Sequence, residues 1–200
     1  VKRRDPTTPG RLVPYRMNSL SIEFCMVDLT NPEAVLWMKN IITQYSLHEA
    51  GSSGWMADFG EYVPFDAVLH SGEPASSYHN RYPEDWARLN MEVLEEAGRT
   101  EDVMFFMRSA WLKSPQYNSV FWEGDQLISW DKEDGLQSAL LGALSGGLTG
   151  HSIVHTDIGG YNVVQETEYV DPSTGAASSF SYLRTEELFC RWVCWCWCCC

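Results

Sequence analysis

What this 200-residue chain has little of narrows its class before any motif is read. No apolar run approaches the roughly 20 residues that cross a bilayer, so no membrane association is expected. The N-terminus, VKRRDPTTPGR, lacks the apolar h-region of a secretory signal, and a cytoplasmic location is the expectation. Basic residues are scarce: 14 Lys and Arg stand against 27 Asp and Glu, a formal charge of −13. A nucleic-acid backbone is gripped by clustered Lys and Arg, so nucleic acid is not expected as a partner. The acidity reads as a solvated surface. It also means that any anionic ligand must meet a locally positive or donor-rich site.

Cysteine is nearly absent until the end. Cys25 stands alone, and six of the seven cysteines fall in the last eleven residues, CRWVCWCWCCC. That distribution is not a disulfide framework. The tail reads as an aberrant C-terminus prone to oxidation and aggregation, with a metal-binding tail as the alternative. None of His48, His70, His79, His151 and His155 has metal-ligand spacing, and no GxGxxG, P-loop or GxSxG pattern occurs. No metal and no cofactor is expected.

What is present is a core-forming composition, 44% hydrophobic and 13% aromatic. Residues 1–18 are rich in Pro and Arg, show no period and read as irregular. Ser21 to Leu29 reads as a strand. TNPEAVLWMKNIITQY reads as a helix with Pro32 near its start and Glu33 in its first turn. A Gly-Ser turn leads to the strand that carries Asp58, and a long loop runs from Tyr62 to about Asn80. Pro83 to Ala97 is a helix signalled at both ends, closed by Gly98. Strands follow over Asp102 to Arg108, Val120 to Asp125 and Ser152 to Asp157. Between the last two, Gly135 to Leu144 is helical and SGGLTGH is a Gly-broken turn. Thr185 to Val193 begins a last helix. Alternating strand and helix argue a parallel β/α arrangement.

Three of those strands end on acids: GWMADFGE delivers Asp58, FWEGDQ delivers Asp125, and HTDIGGY delivers Asp157. In order and spacing these motifs resemble glycoside hydrolase family 31, the retaining α-glycosidases, and within it the sulfoquinovosidase branch. The resemblance runs from about Val27 to Trp192. It implies an α/β fold, part of a (β/α)8 TIM barrel with about four central to late units. The chain is expected to be a fragment of that barrel: residues 1–20 irregular, 21–193 catalytic barrel, 194–200 the aberrant tail.

The resemblance also implies roles. Asp58 matches the nucleophile and Asp125 the general acid/base. A retaining enzyme needs such a pair, about 5 to 5.5 Å apart, because one carboxylate attacks the anomeric carbon while the other protonates the leaving oxygen. The donor must hold its proton, which burial and a negative neighbour favour. Arg108, Trp122, Asp157 and Glu61 match residues around the sugar. A plain barrel ion pair is the alternative for Arg108, and a core aromatic the alternative for Trp122. His155, just ahead of the DIGG motif, reads as a barrel-wall histidine. Tyr161 selects the branch: family glucosidases commonly carry Phe there, whereas a tyrosine hydroxyl donates to a sulfonate oxygen. Arg11 and Arg16 match no motif. The expected ligand is a small carbohydrate, an α-sulfoquinovoside. An α-glucosidase or α-xylosidase, or an inactive truncated fragment, are the alternatives.

Overall fold

The computed structural model describes residues 1–19, 22–118, 120–161, 164–170, 174–175 and 177–198. The chain divides into two compact units, Val1–Val120 and Phe121–Cys200.

In the first unit, β1 (Lys2–Arg4) pairs antiparallel with β2 (Leu12–Pro14), and β3 (Met17–Ser19) pairs antiparallel with β4 (Ile22–Phe24). The stretch expected to be irregular therefore carries strands. They are three residues each, too short to show a period, and β1 is held partly from afar, by the Val68 N–H donating to the Lys2 carbonyl at 2.8 Å. The strand expected from Ser21 to Leu29 is limited to β4, and Ser21 itself lies outside the described residues.

Helix α1 (Pro32–Ile41) starts where the sequence signals it. The Asn31 side chain accepts the Glu33 N–H, Pro32 needs no partner at N1, and Lys39 sits in the last turn. It continues as a π-helix over Ile42–Glu49. Strand β5 (Gly54–Met56) follows, then the long loop, which holds α2 (Ala75–Tyr78) and a 3-10 turn. Helix α3 (Tyr82–Ala97) buries Ala87, Leu89, Asn90, Val93 and Leu94 and stops at Gly98, whose φ of 65° is the left-handed cap that glycine adopts without cost. Strand β6 (Met104–Met107) lies parallel to β5, with Trp55 opposite Phe105. A 3-10 turn at Ser114–Gln116 follows β6.

The core of this unit joins Val63, Leu69, Tyr78, Val93, Leu94, Phe105 and Met107. Each such side chain contributes about 1.5 to 3 kcal/mol when fully buried. The contact of α3 with β5 is polar as well. Asn90, fully buried, accepts from the Trp55 indole at 2.8 Å and donates to the Trp86 carbonyl at 2.9 Å. Trp86 in turn donates to the Ala57 carbonyl at 3.2 Å. Helix α3 thus grips the chain on both sides of the strand end that presents Asp58.

The second unit takes in β7 (Val120–Trp122) from Phe121 on, α4 (Leu136–Leu148), β8 (Ile153–His155), an antiparallel pair of β9 (Val164–Val170) and β10 (Ala177–Tyr182), and α5 (Glu186–Cys198). The turn expected at SGGLTGH is shorter than expected: α4 runs on to Leu148, and the turn is confined to Thr149 and Gly150. Gly142 and Gly146 let the helix approach its neighbours: a Cβ at 142 would lie 2.0 Å from Glu123 Oε2, and one at 146 would lie 3.2 Å from Val154 Cγ2. Glycine here serves close approach rather than chain reversal. Ile128, Ala139, Leu188 and Trp192 form the core, and the Trp192 indole donates to Thr156 Oγ1 at 3.0 Å, docking α5 onto the segment after β8. The helix continues through part of the Cys/Trp-rich tail, with Cys190 and Cys194 exposed and free, while Cys199 and Cys200 lie outside the described residues.

Candidate active site

The first unit places three of the expected residues together. Ala57 extends the strand by donating its N–H to the Phe106 carbonyl at 2.9 Å, so Asp58 is the first residue beyond the C-terminal end of β5. Arg108 directly follows the parallel neighbour, β6. Its Nε lies 3.0 Å from Asp58 Oδ1 and 2.8 Å from Glu61 Oε1, and its Nη2 lies 2.7 Å from Glu61 Oε1. The barrel ion pair considered for Arg108 is real, and it is made to Asp58 and Glu61. Burial works against the guanidinium charge, but Glu61 and Asp58 outweigh it and hold the Arg108 pKa above its ordinary value.

The turn between the two acids is unusual. Phe59 has φ 58°, a left-handed conformation uncommon for a residue with a side chain. There its N–H donates to Asp58 Oδ1 at 2.9 Å, and its ring packs on Phe24 and Tyr62 and lies 5.2 Å from the Arg108 Cζ. Gly60 closes the turn tightly, since a Cβ there would lie 2.1 Å from Ser109 Oγ. The backbone is therefore bent to aim a carboxylate, with both flanks filled.

In the second unit Trp122, Asp157 and Asp125 converge. Trp122 ends β7, is only 3% exposed, and donates its indole N–H to Asp157 Oδ1 at 3.2 Å. It is a core aromatic that also orients an acid. His155 Nε2 lies 3.8 Å from the same oxygen. Burial raises the Asp157 pKa most, His155 and the Trp122 bond oppose that, and the Asp125 charge adds to it. Asp125 follows Gly124, which takes the turn at φ 84°, and is exposed. Tyr161 is 58% exposed, with its main-chain N–H donated to the Gln126 carbonyl at 2.8 Å.

Three contributors escape the sequence reading. Gln126 bonds the Glu123 carbonyl and the Asp157 N–H, Arg184 donates to the carbonyls of Gly159 and Gly160 at 3.0 and 2.6 Å, and Phe59 supplies the bent turn. Gln126 stands inside the quoted FWEGDQ motif, but its partners are 31 residues away for Asp157. Among the described residues no cluster of three or more His, Cys, Asp or Glu side chains is arranged to hold a metal ion.

Strand-end acids beside a strand-end arginine are the layout of a barrel enzyme's C-terminal face, and comparison with known proteins agrees. The TIM-barrel domain of glycosyl hydrolases family 31 matches residues 4–199. The chain belongs to that family. It is 43% identical over 167 residues to a sulfoquinovosidase of Escherichia coli (strain K12), covering 84% of this chain and 22% of that protein. It is 39% identical over 168 residues to a sulfoquinovosidase of Agrobacterium fabrum, covering 84% and 23%. A solved family 31 sulfoquinovosidase from E. rectale, in complex with an aza-sugar inhibitor, superposes with a TM-score of 0.76 at 42% identity, over 90% of this chain and 25% of that one. The chain thus spans about a quarter of the length of these relatives, and the expected partial β/α barrel is the fold it has.

Proposed function

We propose that this chain supplies catalytic residues to a retaining α-glycoside hydrolase that releases sulfoquinovose from α-sulfoquinovosides. The observation that carries the reading is the Arg108 fork on Asp58 and Glu61 at the ends of adjacent parallel strands. It pairs a partly buried carboxylate with a fixed cation and orients it, which suits a nucleophile. In the first step the Asp58 carboxylate attacks the anomeric carbon as the bond to the leaving oxygen breaks, and Asp125 gives that oxygen its proton. In the second, Asp125 takes a proton from water, the water oxygen bonds the anomeric carbon, and Asp58 is released with net retention.

Glu61 fixes Arg108 through Nε and Nη2, and Trp122 holds the Asp157 carboxylate. Tyr161, exposed beside that segment, is the hydroxyl donor for the sulfonate. The likeness to two sulfoquinovosidases over 84% of the chain supports the substrate class.

The test is hydrolysis by the full-length protein of paired 4-nitrophenyl α-sulfoquinovoside and α-glucoside, with the first-formed anomer followed by NMR. Preference for the sulfonated sugar and initial release of the α-anomer are expected. Initial β-anomer removes the nucleophile role from Asp58, and preference for the glucoside or a xyloside replaces the substrate reading by the glucosidase or xylosidase one.

A further inference from the structure

Gln126 directly follows Asp125 and is only 5% exposed. Three hydrogen bonds run from it, one within its own turn and two to the turn after β8. Its Nε2 donates to the Glu123 carbonyl at 2.7 Å, its Oε1 accepts the Asp157 N–H at 3.4 Å, and its main-chain carbonyl accepts the Tyr161 N–H at 2.8 Å. One residue therefore ties the turn after β7, which bears Asp125, to the turn after β8, which bears Asp157 and Tyr161.

The second turn has little slack in which to drift. Gly160, at φ 79°, sits so close that a Cβ there would lie 2.9 Å from Ile128 Cα and from the Leu127 carbonyl oxygen. Arg184 holds the carbonyls of Gly159 and Gly160 from the other side. The Asp157 N–H donates to Gln126 while its carboxylate accepts from Trp122, so the aspartate is fixed at both ends to residues flanking Asp125 in sequence.

Only an amide of this length does both jobs. A carboxylate accepts from the Asp157 N–H but, when ionised, cannot donate to the Glu123 carbonyl, and it brings a negative charge beside Asp125 and Asp157. Methionine matches the length and makes neither bond, leaving the partly buried Glu123 carbonyl and Asp157 N–H without that partner. Asparagine is one methylene short.

We propose that Gln126 is a positioning residue that locks the Asp125 turn to the Asp157–Tyr161 turn, its side-chain amide tying Asp157 to the Asp125 turn and its main-chain carbonyl holding Tyr161, so that leaving-group protonation and grip on the distal end of the sugar are set together by one residue. This rests on the roles assigned above to Asp125 and Tyr161, and it assigns no contact between Gln126 and substrate.

Gln126→Met and Gln126→Glu in the full-length protein test it by two routes. Amide hydrogen exchange across residues 156–161 is expected to quicken by roughly 10-fold or more in Gln126→Met, while residues 54–61 and 104–108 keep wild-type rates. Turnover of an alkyl α-glycoside, whose leaving oxygen needs its proton, is expected to fall on the order of 10-fold. A 4-nitrophenyl glycoside, which needs little protonation, should change by less than about 3-fold. Gln126→Glu should show the same split. Exchange that rises uniformly along the chain, or not at all, overturns the proposal, as does equal loss on both leaving groups. If the wild type prefers an α-glucoside, the substrate reading fails while Gln126 is judged by the same leaving-group comparison on that glucoside. If it cleaves neither, the exchange pattern decides alone.

Discussion

Arg108 Nε lies 3.0 Å from Asp58 Oδ1 in a cluster that also includes Glu61. Two carboxylates share one cation, so neither can be altered without changing the other's partner. Charge alone does not make this arrangement, because lysine is a point charge and lacks the planar fork that reaches two acids in fixed geometry. Arg108→Lys is therefore expected to cost about 1.5 to 3 kcal/mol of transition-state stabilisation, the range for hydrogen bonds to charged groups. That is roughly a 10- to 150-fold loss in kcat/KM. Arg108→Met should also lower the denaturation midpoint, because it removes the partner that Asp58 and Glu61 share. A Lys variant with wild-type kcat/KM would show that the fork is not used.

The roles proposed for Asp58 and Asp125 are separable by leaving group. Asp58→Asn should abolish turnover of every α-glycoside, since no bond to the anomeric carbon can form. Asp125→Asn should spare activated aryl glycosides in the first step while reducing alkyl glycosides by about 100-fold or more, the scale of general-acid catalysis. Steady-state rates on a graded series of aryl leaving groups measure this. A flat dependence in Asp125→Asn, parallel to wild type, removes the acid role.

The strand ends were legible because their strings are local: DFGE, EGDQ and DIGG each lie just past the end of β5, β7 or β8. So was α3, whose Pro83, Glu84, Asp85 and Gly98 signal its ends within the element itself. What the sequence concealed was held by distant partners. Strand β1 depends on a hydrogen bond to Val68, β9 and β10 pair across a connection of several residues, and Gln126 binds a backbone group 31 positions on. Gly146 and Gly147 misled for another reason: low helix propensity argues for a break, yet the helix runs through them to Leu148, with Gly146 packed against Val154.

Glu123 gives a pH-dependent prediction with a definite sign. Its carboxyl group lies against Gly142 of α4, and burial raises its pKa. Below the unfolded-state pKa both states are protonated and burial of the neutral acid carries no ionisation penalty. As pH rises from there through the raised folded-state pKa, the unfolded chain loses its proton first, and stability falls. Glu123→Gln removes that titration. It should stabilise the protein at pH 7 and do little well below the normal carboxylate range, as read from urea midpoints at the two pH values. The same gain at both would assign the effect to packing against Gly142 rather than to charge.

Tyr161 tests the substrate branch. Its ring is exposed, and its backbone is pinned to Gln126 next to Asp125, so the hydroxyl can change without disturbing the turn. A bound sulfonate presents charged acceptor oxygens, and one lost donor costs about 1.5 to 3 kcal/mol. Tyr161→Phe should thus lower kcat/KM for an α-sulfoquinovoside by roughly 10-fold or more, at about 1.4 kcal/mol per factor of ten, and leave α-glucoside turnover nearly unchanged. The asymmetry is what separates an anion contact from a wall of the pocket. Equal losses on both substrates would make Tyr161 a general sugar contact, and the sulfonate would have to be recognised by other residues of the barrel.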